Sequence, residues 1–89
     1  MKINRPEITE EEINFICEKF RKSLEKRLKQ HGRGSYTTSH ELLGYMAEEY
    51  NELVLAVQKK DGIYEECLDV AVVGIFGAIC HCSGKMEVD

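Results

Sequence analysis

The sequence predicts an all-α chain of three helices, and three observations predict it. Apolar residues recur at helical spacing over three segments. A capping-box pattern opens two of them, as Thr9-Glu10-Glu11-Glu12 and as Thr38-Ser39-His40-Glu41. No alternating pattern, internal repeat or low-complexity stretch argues for strands. With 89 residues the chain makes one domain near the lower limit for a self-sufficient core. A function needing a deep cleft is therefore expected to recruit a second copy.

Residues 1–8, which hold the only proline, are expected to form a flexible arm, and residues 9–89 a single helical domain. The first helix starts at about residue 10, where Ile8 and Ile13 are placed to staple the capping box. Its apolar stripe is Ile13, Ile16, Cys17, Phe20, Leu24 and Leu28. Acids in its first turn and Lys26, Arg27, Lys29 and His31 near its last suit the macrodipole, and Gly32 offers a left-handed stop. After the connection His31–Ser39, the second helix runs to about Lys60, where Asp61-Gly62 ends it. The third spans about Ile63 to His81 and stops at Ser83-Gly84, ahead of a short polar tail.

The third helix is apolar all round. From Cys67 to Cys80 every residue is apolar or glycine except Asp69. Two neighbouring helices cannot cover every side of such a cylinder, so a second subunit is expected to complete the bundle, as a homodimer or homotetramer. Gly74 and Gly77 are expected where backbones approach closely, because a helical glycine costs about 1 kcal/mol relative to alanine.

The longest apolar run falls short of the ~20 residues that cross a bilayer, and MKINRPEITEEE lacks the apolar stretch of a signal peptide. The expectation is a soluble cytoplasmic protein without a membrane partner. Four cysteines without an export signal read as reduced thiols. Cys80-His81-Cys82 is a poor zinc site, since a C-x-C pair on a helix points its side chains apart and no second pair follows. Residues 1–35 carry nine Lys/Arg against six Glu, and residues 36–89 three Lys against ten Asp/Glu. That asymmetry suits a site that holds a metal ion and then receives phosphates, and equally a solvated surface. Nucleic acid is not expected as a partner: Glu18 and Glu25 interleave with Arg21, Lys22, Lys26, Arg27 and Lys29, and the net charge is −4.

An ionised carboxylate among apolar neighbours is costly unless something receives it, which singles out Asp69. Glu66 lies one turn before it, and the second helix offers a matching pair, Glu49 and Glu52. Antiparallel packing across a short connection brings the two pairs opposite each other. Two charges about 4 Å apart repel by ~4 kcal/mol at a protein-like dielectric, so four free anions call for a divalent cation. Magnesium fits oxygen ligands best. The residue pattern also admits a plainer reading, an acidic helix face with one hydrogen-bonded aspartate, because Glu52 lies well off the apolar arc of its helix and Glu49 only borders it.

The block AEEYNELVLAVQKKDGIYEECLDVAVVGI, Ala47 to Ile75, resembles the MazG-like, all-α nucleoside triphosphate pyrophosphohydrolase superfamily, which is marked by Glu-x-x-Glu on one helix and Glu-x-x-Asp on the next. The resemblance is clearest over residues 38–80. It implies a MazG-like helical domain, magnesium held by Glu49, Glu52, Glu66 and Asp69, and cleavage of a nucleotide substrate between its α and β phosphates to a monophosphate and pyrophosphate. Glu49 or Glu52 is expected to handle the attacking water. Members usually add basic or amide groups from a further helix, which these 89 residues do not contain. Phosphate contacts are therefore assigned to Lys29, Arg33, Lys59 and Lys60. The amides of Gly32-Arg33-Gly34-Ser35 are a lesser candidate, and Tyr36, Tyr45 and Phe76 are candidates to stack on a base. The alternative is a non-catalytic helical oligomerisation or adaptor module that keeps the fold.

Overall fold

A computed structural model describes residues 4–89. It contains three helices, α1 (Glu10–His31), α2 (Ser39–Lys59) and α3 (Ile63–Cys82). Residues 4–9 precede α1 without regular structure, and residues 1–3 of the expected arm lie outside the described residues.

The capping chemistry read from sequence sets both helix starts. Thr9 Oγ1 accepts from the Glu12 amide at 3.1 Å, and the Thr9 amide donates back to Glu12 Oε1 at 2.7 Å. At α2 only half of the box forms: Thr38 Oγ1 accepts from the Glu41 amide at 3.3 Å, while the Glu41 side chain lines a cleft with Tyr45 and Arg27. The end of α2 differs from expectation. Lys60, not a glycine, takes the left-handed position at φ 60°, which costs a residue with a Cβ roughly 1 kcal/mol. Its amide donates to Val57 at 3.2 Å and that of Asp61 to Ala56 at 3.1 Å, so two of the last four carbonyls of α2 find donors in the turn. Gly62 then supplies the second left-handed residue, φ 76°, and α3 begins without a side-chain cap.

The tight connection folds α2 back on α3, and α1 lies on α3 alone. Between α2 and α3 sits a small core in which Val73, Cys80, Tyr36 and Met86 are buried and Leu42, Met46 and Phe76 pack around them. Gly77 lets Leu42 pack closely there, since a Cβ on it would stand 2.7 Å from Leu42 Cδ1 and push that side chain aside. Gly74 faces Met46. The two glycines thus meet α2 of their own chain, not the second copy expected from sequence.

Two further expectations are corrected. The C-terminal segment is not merely a polar tail: Met86 enters the core, and Glu87 pairs with the α1–α2 connection, donating to Thr37 at 2.9 Å and accepting from Ser39 at 2.8 Å. Asp89 adds contacts to Ser39 Oγ at 3.0 Å and His40 Nδ1 at 2.6 Å. In α1, only the second half of the expected apolar stripe is covered. Phe20, Leu24 and Leu28 are half-buried, while Ile13, Ile16 and Cys17 are exposed, the last two along an open groove with Tyr64, Leu68 and Ile75 of α3. The radius of gyration is 15.3 Å, against about 12 Å for a compact chain of this length. No helix of the described residues is long and apolar enough to cross a membrane.

Candidate metal centre

The antiparallel hairpin brings together Glu49 and Glu52 of α2 with Glu66 and Asp69 of α3. One oxygen from each carboxylate lies within 4.8 Å of every other. A three-residue step turns a helix by most of one revolution, so each pair projects from one side of its helix. None of the four is fully buried; Glu49 and Glu66 are half-buried and Glu52 is exposed. Glu52 joins the cluster despite its position off the apolar arc, because the hairpin edge, not the hairpin core, is where the acids meet. The adjoining acids Glu48 and Glu65 are exposed and stay out of the cluster.

The electrostatics are those of anions short of a counter-charge. Among the described residues none of the four makes an ion pair. Glu49 Oε2 and Glu66 Oε2 are buried with no hydrogen-bond partner. Loss of hydration, followed by the neighbouring Glu52 and Asp69, pushes the Glu49 carboxyl up to about 7, with Arg27 opposing. The same causes, dehydration first and then Glu52 and Asp69, raise Glu66. Two dry, unpartnered oxygens in an all-carboxylate cluster fit a hard divalent cation, which prefers oxygen ligands and offsets the mutual repulsion. No other cluster of potential ligands forms among the described residues. Cys80 is committed to the core, and His81 and Cys82 are exposed at the end of α3.

The basic groups beside the cluster are not those singled out from sequence. A groove between α1 and α3 has Lys19, Lys22, Lys26 and Arg27 along one wall and Tyr64, Leu68 and Asp69 along the other. Lys29 and Arg33 instead line a separate groove that reaches Ile79, and Lys59 and Lys60 stand exposed at the end of α2. The signal was present: residues 19, 22 and 26 share one face of α1, flanking the stripe that packs on α3. The Gly32–Ser35 loop is largely exposed, and Gly34 borders a further cleft with Tyr36, Glu41 and Tyr45. Tyr36 stacks on Tyr45 at 5.5 Å between ring centroids and meets Phe76 edge-on at 4.9 Å. Tyr36 is thus a core residue as well as a cleft residue, and burial raises its phenol above the usual range against the pull of Arg27.

No family model matches the chain, and no curated protein or solved structure does either. Function must be argued from the site itself.

Proposed function

We propose that the chain is a magnesium-dependent nucleotide pyrophosphohydrolase of the MazG-like kind, cleaving a nucleoside triphosphate to monophosphate and pyrophosphate. The observation that supports it above all is the meeting of four carboxylates, one oxygen from each within 4.8 Å of the others, in a cluster where Glu49 Oε2 and Glu66 Oε2 are buried without a hydrogen-bond partner. Glu49, Glu52, Glu66 and Asp69 hold the ion. Magnesium, when bound, supplies charge neutralisation at phosphate oxygens and a fixed orientation for the substrate.

The remaining work belongs to the chain. Glu52, the exposed member of the set, or Glu49 beside it, orients the attacking water and takes its proton. The water oxygen bonds to the α phosphorus as the bond from that phosphorus to the bridging oxygen breaks, and the electron pair leaves with pyrophosphate. Lys22, Lys26 and Arg27 stand across the groove from Asp69, where they attract the polyphosphate and stabilise charge on the leaving group. The exposed apolar stripe of α1 supports assembly as a homodimer or homotetramer, with a second copy covering Ile13, Ile16 and Cys17.

The test is pyrophosphate release from a panel of canonical and modified nucleotides with magnesium. Wild type turns over at least one of them, and Asp69→Asn lowers that rate by about 100-fold or more, as loss of a charged ligand should. Equal rates in the two proteins reject the assignment. One observation favours the adaptor reading: a wholly apolar groove between α1 and α3, lined by Ile16, Phe20, Tyr64, Leu68 and Ile75, offers a docking face that chemistry does not need. That reading expects magnesium to raise the melting temperature with no nucleotide hydrolysed.

A further inference from the structure

The cleft on the far side of Arg27 has no part in the cleavage step. Arg27 and Leu28 of α1, Gly34 and Tyr36 of the connection, and Glu41 and Tyr45 of α2 line it. Arg27 also lines the groove that contains Asp69, so the two cavities share a wall. The cleft combines three properties. Its floor is aromatic: the Tyr36 and Tyr45 rings are stacked with 22° between their planes, and Tyr45 is 41% exposed, leaving it open for a further planar group. Its charged rim is uncommitted, since among the described residues neither Arg27 nor Glu41 makes an ion pair or a side-chain hydrogen bond. Its buried phenol is unsatisfied: Tyr36 is only 5% exposed, and its hydroxyl has no partner. Buried polar atoms without partners are rare in a finished structure and common where a ligand completes the bonding.

We propose that this cleft receives the base of the nucleotide and prefers bases bearing an exocyclic amino group. The proposal takes the ligand to be a nucleotide from the function proposed above. The base stacks on Tyr45, as planar rings do on exposed aromatic side chains. Glu41, an acceptor without a donor, takes a hydrogen bond from the amino group. Uracil and thymine place carbonyl oxygens on either side of their one N–H, and those oxygens are repelled by a carboxylate. A polar site of this kind rejects a ligand that leaves its groups unpaired. Arg27, at the shared wall, meets the phosphate that leads from the base towards Asp69.

The experiment is an amide NMR titration of the full chain with CMP, AMP and UMP in EDTA. The monophosphates lack the bond to be cleaved and EDTA removes metal, so a chain that hydrolyses nothing can still pass, and an active hydrolase that fails here loses only its base site. CMP or AMP is expected to shift the amides of Gly34, Tyr36, Glu41 and Tyr45, and to bind at least threefold more tightly than UMP. Glu41→Gln, whose spectrum reports directly whether it is folded, is expected to bring that ratio to near one. Shifts absent from these residues, equal affinity for UMP in wild type, or a preference that survives Glu41→Gln each overturn the proposal.

Discussion

The α2–α3 hairpin and the first half of α1 are both helical and both carry apolar residues at helical spacing, yet one is finished and the other is not. In the hairpin, Val73 is fully buried, Gly77 lets Leu42 approach, and the 86–89 segment closes one end. In α1, Ile13 and Ile16 keep 40% and 43% of their surface in water and no residue is buried. Local preference suffices to start and stop a helix; cover for its apolar stripe has to come from elsewhere. The hairpin obtains that cover within the chain, whereas α1 obtains it only beyond Phe20.

A matched pair of substitutions tests this contrast most severely. Val73→Asp places an uncompensated charge at the driest side chain among the described residues and is expected to cost about 4 kcal/mol or more, enough to abolish cooperative unfolding by circular dichroism. Ile16→Asp is expected to leave the monomer within about 0.5 kcal/mol of wild type while lowering the sedimenting mass from oligomer to monomer. Monomeric wild type, or an Ile16→Asp chain that unfolds like Val73→Asp, breaks the comparison. Next in size is Met86→Ala, expected to lose about 2 kcal/mol in urea titration because it empties a core position. A loss near zero means the tail is an ornament of the hairpin and not part of its closure.

The acidic cluster sits on the finished side and carries the hairpin's main conflict. Glu49 titrates at about 7 in the folded chain against an ordinary 4.5. The folded state therefore holds a proton that the unfolded chain has released, and metal-free stability is highest below pH 4.5 and falls as pH rises towards 7. The melting temperature in EDTA should drop over that window, and saturating magnesium should remove the drop. Glu49→Gln should raise the metal-free value at pH 7 by about 4 °C, the shift that ~1 kcal/mol makes in a domain of this size, and lose the response to magnesium. A flat EDTA profile rejects the account of cluster strain.

Much of this was legible in the residues themselves. The cap at Thr9, the stop at Gly32, and the opposed pairs Glu49/Glu52 and Glu66/Asp69 follow from local chemistry and helical periodicity, which act within a few residues. What escaped depends on distant pairing. Met86 reads as an isolated apolar residue in a polar segment, and only its meeting with Tyr36, fifty positions earlier, makes it core. Lys26 and Arg27 read as partners of the helix dipole, and their position across from Asp69 needed the angle at which α1 lies on α3.

The smallness of the dry interior has a calorimetric consequence. Apolar surface newly wetted on unfolding sets the heat-capacity increment, and a lone chain with so few anhydrous side chains among its described residues has little left to wet. Its free-energy curve against temperature is accordingly broad and shallow, and association, by hiding the stripe on α1, narrows and deepens it.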